Sequence, residues 1–324
     1  MPHKRLNVIS TDAPFSSTST HPSRLTLKKE LQARFERLWL LNPEQFNPLR
    51  NCMQKERLER TWSLLTAHFN PQGKTITDIG CAAGVFARRL RDAGAHVTAV
   101  DIAQNAFKHF QDDKDIKLIQ DAMPTTNLND QSFDAITCME VIADLPPQDY
   151  RLFFAELARL IKPQGYILCS TPIDIKSEGG AQRLLSFAQT ELEIIDSVIS
   201  YHALYLHIKH FLAAPAHFVK GWKEPDFRQK KLLARKGLSH LWFRLNTTFF
   251  LIWIWMMFSL LTTPLLNFLK RSRSTLLKLE KICHFFWDEA GISHFILLGK
   301  RRPLQTEPPV EVPIERPTKR QIWE

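Results

Sequence analysis

The seven residues Asp78-Ile79-Gly80-Cys81-Ala82-Ala83-Gly84 decide the fold. They close a β-rich run that starts at Lys74 and open a helix expected from about Val85 to Ala93. Small residues at a strand-to-helix junction let the backbone approach a ligand closely. The helix N-terminus adds free N–H groups and positive potential. About twenty residues on, AHVTAVD ends at Asp101, where a carboxylate can accept bonds from ribose hydroxyls. Asp121-Ala122 occupies the same point after the third strand. All three places are carboxyl ends of neighbouring parallel strands, where open α/β sheets bind ligands. They imply an adenosine-containing ligand. A dinucleotide would want GxGxxG, and Gly80 and Gly84 lack that spacing, which disfavours NAD.

The pattern around this junction repeats. A helix over Gln104–Gln111 precedes the strand IKLIQDA. SFDAITCME is a fourth strand, DYRLFFAELARLI a helix, and Pro163-Gln164-Gly165 a turn into the fifth strand, YILCSTP. Strands alternating with crossover helices make a Rossmann-like, doubly wound α/β sheet. LEIIDSVISY and SHFILLGKR supply a sixth and seventh strand, with roughly 85 residues between them. The expected organisation is a tail over 1–24, an N-terminal helical lid over 25–69 and a core over 70–202. A helical insertion over 203–291, the last core strand over 292–301 and a second tail over 302–324 complete it. In the lid, Leu27, Leu31, Phe35, Leu38 and Leu41 fall at helical spacing until Pro43 and Pro48 break the run, and a second helix covers about Leu49 to Phe69.

With these motifs in order, the sequence resembles class I S-adenosylmethionine-dependent methyltransferases, specifically the small-molecule enzymes related to ubiquinone and menaquinone biosynthesis. DIGCAAG matches the family's D/E-x-G-x-G-x-G motif with Ala82 in place of the middle glycine. HVTAVDIA matches the second motif, and SFDAITCMEVIADL with ELARLIKPQGYILCSTP matches the fourth and fifth strands. The resemblance covers about residues 70–175 plus SHFILLGKR. It implies a seven-stranded class I sheet with S-adenosylmethionine as cofactor. Asp78, Gly80, Ala82 and Gly84 would then sit at the methionine end, Asp101 and Ile102 at the ribose and adenine, Asp121 and Ala122 at the adenine amino edge, and Cys138 and Met139 on the pocket wall. Two positions depart from the family. Ala143-Asp144 stands where a Glu-His pair is common, and Gln164-Gly165 where a Gly-Gly precedes the fifth strand.

Methyl transfer mainly needs alignment, plus a base where a hydroxyl or amine must lose its proton. Asp144 is the sequence's candidate for that base, and a capping role in the LPPQDY turn is the alternative reading. His202, His207 and His210 have no acidic or Cys partner at metal-ligand spacing, so no metal is expected. Cys52, Cys81, Cys138, Cys169 and Cys283 are odd in number and scattered. They read as thiols of a reducing compartment rather than a disulfide framework, with Cys81, Cys138 and Cys169 as small apolar residues near strand ends.

With 44% hydrophobic and 23% charged residues, the chain is neither disordered nor a many-span membrane protein. Its net charge of +10 is local: Lys220 to Lys281 holds 13 Lys/Arg against 3 Asp/Glu, a surplus equal to the whole. Inside that basic stretch, Leu245 to Leu269 carries no charge, and Phe249–Leu261 is apolar except for Ser259. A helix of this length, about 37 Å, would suffice to span a bilayer, but one crossing would separate strands of a single sheet. The expectation is a peripheral, lipid-facing element over 245–269, bent into a shallow hairpin at Pro264 or lying along the interface. A buried cap helix and a dimer contact are the competing readings. Met1 to Arg24 has no apolar core of signal length. The expected setting is cytoplasmic, at the inner face of a membrane, with a small, apolar acceptor of lipid or quinone-precursor type. An RNA methyltransferase and a non-catalytic cofactor-binding scaffold are the alternatives. The sequence shows no basic stripe interleaved with aromatics on an RNA-binding module.

Overall fold

The structure, a computed structural model, describes residues 24–173, 180–247 and 249–302. The tails expected over 1–24 and 302–324 lie outside the described residues, apart from Arg24 and Arg302. The chain opens with α1 (Arg24–Leu41) and α2 (Cys52–His68), separated by a short 3-10 turn at Pro43–Phe46. The Asn51 side chain caps α2 by accepting from the Gln54 amide. The core follows as β1 (Thr75–Ile79), α3 (Val85–Asp92), β2 (His96–Asp101), β3 (Lys117–Gln120), β4 (Phe133–Met139), α4 (Tyr150–Leu160), β5 (Ile161–Pro172), α5 (Gly180–Glu191) and β6 (Leu192–Ser200). Five helices, α6 (Ala203–Lys223), α7 (Pro225–Leu233), α8 (Gly237–Asn246), α9 (Phe249–Arg271) and α10 (Arg273–Trp287), then lead back to β7 (His294–Arg301).

The seven strands form one sheet in the order β3-β2-β1-β4-β5-β7-β6. β1 to β5 run parallel, and β7 inserts antiparallel between β5 and β6. The order reverses between β1 and β4, the point at which such sheets open a crevice for a ligand. Both faces are covered. On one, Leu58, Leu64 and Leu65 of α2 and Phe86, Ala87 and Leu90 of α3 pack on Ile76, Ala135 and Leu168. On the other, Phe153, Phe154 and Leu157 of α4 and Leu184 and Ala188 of α5 pack on Ile136, Ile167 and Leu297. This is the Rossmann-like, seven-stranded arrangement with N-terminal helices and a helical insertion before the last strand that the sequence implies.

The helix expected over Gln104–Gln111 is present as a 3-10 helix, Gln104–Phe110. Two local features differ from the sequence reading. The turn expected at Pro163-Gln164-Gly165 lies within β5, as an irregularity in its register with β4, where Gln164 takes a left-handed φ of 66°. Of the two shapes the sequence allows for 245–269, the hairpin at Pro264 does not form. α9 runs continuously through that proline, and its buried residues Ile252, Leu266 and Leu269 turn inward while Trp255 packs on Phe218 of α6.

A buried ionic knot ties the insertion to the core. Arg60 of α2 donates two bonds to Glu280 of α10, at 2.7 and 2.6 Å, and one to Ser200 Oγ at the end of β6. The Tyr201 amide also donates to Glu280, and Glu56 links Arg60 to Arg273. Burial pushes the Glu280 carboxyl up, but His202 at 3.5 Å and Arg60 outweigh it and hold the group at about 2. A carboxyl depressed on folding contributes stability that is present above its ordinary value and lost as pH falls through the folded value. Equilibrium unfolding followed from about pH 4.5 down to about 2 is expected to show a loss of about 3 kcal/mol from this group, and Glu280→Gln is expected to remove a similar amount already at neutral pH.

Candidate active site

The crevice at the switch point is a cavity of about 370 Å³. Its floor is the loop after β1. Ala82 holds a left-handed φ of 48°, the conformation a glycine at this position would take without strain. The strain is compensated in place, because the Ala82 amide donates to Asp101 Oδ2 at 3.0 Å. Gly80 and Gly84 also have positive φ. A Cβ at Gly84 would lie 2.3 Å from the Phe110 ring, so this glycine serves packing of the loop on the 3-10 helix and does not line the cavity.

Of the residues the sequence singles out, Gly80, Ala82, Asp101, Ile102, Asp121, Ala122, Met139 and Asp144 meet around this one cavity. Asp78, Gly84 and Cys138 are not part of its lining. Asp78 is buried beneath the loop, with one carboxylate oxygen accepting from Thr137 and the other without a partner. Burial, opposed by the Thr137 bond and reinforced by the nearby Asp101 charge, pushes its carboxyl up to about 7. Cys138 is a core thiol in the sheet. Asp101 accepts one bond on each oxygen, from the Ala82 and Ala103 amides, which leaves each with a second lone pair at the cavity wall. Asp121 differs. Lys28, Ala122 N, Asn127 N and Asn127 Nδ2 fill all four of its acceptor positions, so it has none left for an adenine amino group while Lys28 stays in place.

Helix α1 roofs the cavity with Leu31, Phe35 and Trp39. Three charged side chains fasten it: Lys28 to Asp121 at 2.6 Å, Arg34 to Asp144 at 3.4 Å, and Glu36 to the amides of Gln104 and Asn105. Asp144 therefore does not cap the following turn. It sits half-exposed on the cavity wall against Arg34, with its carboxyl raised by burial despite that cation.

The sequence reading did not single out a polar corner at the far end. Glu140, directly after β4, has a left-handed φ of 67°, and its Oε1 accepts from Arg57 of α2 and from His294 Nε2 at the start of β7. Gln54, Arg57, Glu140, Ser170 and His294 all line the cavity. The signal for Glu140 was its position: it ends a central parallel strand, where ligands gather. Arg57 and His294 lie 83 and 154 residues from it along the chain, and only the fold brings them to it. The three histidines named in the sequence do not gather: His202 lies beside Glu280 and His207 bonds the Ala203 carbonyl. Among the described residues there is no group of three metal-ligating side chains.

A seven-stranded sheet in the order β3-β2-β1-β4-β5-β7-β6 with an antiparallel β7 is the Rossmann-like arrangement of class I methyltransferases, and its β1/β4 switch point opens into the acid-bearing crevice. Residues 77–169 match the family described as methyltransferase domain. Curated relatives include ubiquinone biosynthesis O-methyltransferases from Bordetella avium, 30% identical over 139 residues (41% of this chain, 55% of that protein), and from Paracidovorax citrulli, 30% identical over 167 residues (48% and 64%). The chain thus spans between about half and two-thirds of the length of these relatives. Similar solved structures include the N-methyltransferase NodS of Bradyrhizobium japonicum with S-adenosyl-L-homocysteine (20% identity, TM-score 0.44, covering 53% of this chain and 89% of that one). Another is 1,6-didemethyltoxoflavin-N1-methyltransferase of Burkholderia thailandensis (12% identity, TM-score 0.48, covering 90% and 94%).

Loop geometry makes opposite demands at two neighbouring positions. Gly84→Ala is expected to cost at least about 2 kcal/mol in denaturant unfolding through the Phe110 clash and the positive φ. Ala82→Gly relieves strain at the price of chain entropy and is expected to change stability by less than about 1 kcal/mol.

Proposed function

We propose that this chain transfers a methyl group from S-adenosylmethionine to the oxygen of a small acceptor with apolar character, and that it works on a membrane surface. The observation that carries the first part is Asp101, a carboxylate at the end of β2 that lines the cavity and takes an amide bond on each oxygen from Ala82 and Ala103. Two vicinal ribose hydroxyls match that pair of acceptors. Ile102 and Met139 offer apolar walls for the adenine and the sulfonium end, and Gly80 and Ala82 allow close backbone approach. The cofactor supplies an activated methyl group when bound. The protein's task is to align the acceptor and exclude water beneath α1. Oxygen as the acceptor atom is drawn from the name of the O-methyltransferase relatives.

The membrane part rests on α9. Its 21 residues Leu251–Arg271 are long and apolar enough to cross a bilayer by length and composition, and only 11% of the most apolar window is buried. Trp253, Ile254, Met257, Phe258, Leu261 and Leu265 are all exposed along one stripe. Exposed Arg244 and Arg271 flank the stripe. An apolar face with a basic rim suits an anionic lipid surface, with the aromatic rings at headgroup depth. RNA would match the basic rim and leave the apolar stripe in water.

Isothermal calorimetry with S-adenosylhomocysteine is expected to show saturable binding, weakened at least about tenfold by Asp101→Ala through loss of two charge-assisted bonds. Co-sedimentation with vesicles of phosphatidylcholine containing phosphatidylglycerol is expected to capture the protein at low salt. The double change Trp253→Asp, Phe258→Asp is expected to cut the bound fraction at least about fivefold. A wild-type protein that stays in the supernatant refutes the membrane reading.

A further inference from the structure

At the foot of the insertion, α2, α6 and α9 meet, and each brings a cation to the meeting point. The contact centres on Cys52, which opens α2 and packs with Tyr205 of α6, Leu269 of α9 and Leu276 of α10. Its Sγ donates to the Leu269 carbonyl at 3.3 Å and lies 3.8 Å from the Tyr205 hydroxyl. Arg50 stands two residues before Cys52, Lys209 one helical turn after Tyr205, and Lys270 directly after Leu269. A second tie, Trp255 on Phe218, sets α6 antiparallel to α9, which keeps Lys209 near the α9 end that bears Lys270.

No acid offsets this grouping. Lys209 is half-buried; burial, and then the charges of Arg50 and Lys270, push its ammonium down, with no carboxylate opposing them. Other cations of the insertion are paired, Arg273 with Glu56 and Lys220 with Glu224. Among the described residues no ion pair engages Arg50, Lys209 or Lys270. Lys270 stands in the last turn of α9, where a cation suits the helix end, but that reason does not extend to the other two. Like charges gathered at a partly buried point destabilise the fold unless they share an anion.

The surroundings choose among anions. Each cation has a large exposed apolar neighbour: Leu49 beside Arg50, Phe211 two residues after Lys209, and Phe268 two before Lys270. Phe268 also continues the exposed stripe of α9. A soluble anion would leave all of these side chains in water. A phosphate at the surface of a bilayer meets the three cations while the apolar side chains enter the acyl layer beside it. Pro48 and Gln54, on either side of Arg50 in the chain, line the cavity.

We propose that Arg50, Lys209 and Lys270 form a phosphate site for the headgroup of an anionic membrane lipid, placed so that the bound lipid fixes which rim of the cavity meets the bilayer. The proposal rests on the membrane reading of α9. It adds a discrete headgroup site where that reading needs only a general basic rim.

The test uses the full chain and vesicles of phosphatidylcholine with and without phosphatidylglycerol. Changing Arg50→Gln, Lys209→Gln and Lys270→Gln together is expected to weaken capture by the phosphatidylglycerol vesicles at least about tenfold. A charge-matched control, Lys223→Gln with Lys236→Gln and Lys278→Gln, removes three exposed cations elsewhere in the insertion and is expected to weaken it at most about threefold. Dihexanoyl phosphatidylglycerol, titrated as a soluble monomer by calorimetry, is expected to bind the wild type and the control saturably but not the site variant. Inorganic phosphate, the soluble source of the same group, is expected to bind at least about tenfold more weakly than this lipid because it lacks the apolar contacts. Relief of charge repulsion is expected to leave the site variant at least as stable to heat as the wild type.

A site variant captured as well as the control overturns the headgroup site while leaving the membrane reading in place. Inorganic phosphate that binds as tightly as the short-chain lipid overturns the lipid as its source. If the site variant does not fold, the wild-type titration decides, and absence of saturable binding of the short-chain lipid refutes the proposal. A wild type captured by neither kind of vesicle overturns the membrane reading, and the headgroup site with it.

Discussion

The two-pronged contact between Arg60 and Glu280 joins parts of the chain that would otherwise have little reason to meet. Its members come from α2, which precedes the sheet, and α10, which closes an insertion almost a hundred residues long. Burying one such charge alone would be prohibitive, and burying both is tolerable only when each is fully bonded. Glu56, Ser200 and the Tyr201 amide supply the remaining bonds. The same helix α2 carries Arg57 one turn earlier, and Arg57 reaches Glu140 in the cavity. The ionic knot therefore sets where the polar corner stands relative to the sheet. The insertion is tied to the site through α2, and Cys52 at the start of α2 bonds the Leu269 carbonyl of α9.

A second constraint is electrostatic. Asp78, Asp101, Asp121 and Glu140 crowd the carboxyl ends of β1 to β4, and each is handled differently. Asp101 is satisfied by two amides, Asp121 by Lys28 and Asn127, and Glu140 by Arg57 and His294. Asp78 alone keeps an unsatisfied oxygen and, with burial as the main cause, sits near neutrality. Three of these acids line the cavity, and Asp78 lies beneath its floor.

Much of this was legible in the sequence, for a physical reason. Crossover connections force strands and helices to alternate, so the period changes along 74–172 exposed the parallel sheet, and ligand contacts cluster at strand ends that can be counted off. Asp101 and Ala82 were found in that way. The polar corner was not, since Arg57 and His294 are separated from Glu140 by 83 and 154 residues and carry no motif spacing. The occupation of Asp121 by Lys28 was equally hidden, because a lysine on an amphipathic helix reads as a solvated side chain until the helix is laid over the crevice. Gly84 looked like a ligand-binding glycine, and the Phe110 ring behind it explains why glycine is required there instead. Within the insertion, the uncharged run announced a long helix, but which side of it stays bare depends on α6, a partner the run does not name.

The roof over the cavity has a consequence of its own. Helix α1 covers one side of a cavity that stays open elsewhere, and lifting it would break the contacts of Lys28, Arg34 and Glu36 together. These are charge-based bonds near the surface, which form quickly and weaken with ionic strength, whereas the apolar seat of Trp39 on Ala103 and Ala106 does not. The helix is thus a door with a salt-sensitive latch and a greasy hinge. How tightly α1 sits on the crevice should therefore vary with ionic strength through its charged contacts, while its aromatic seat holds the helix in register.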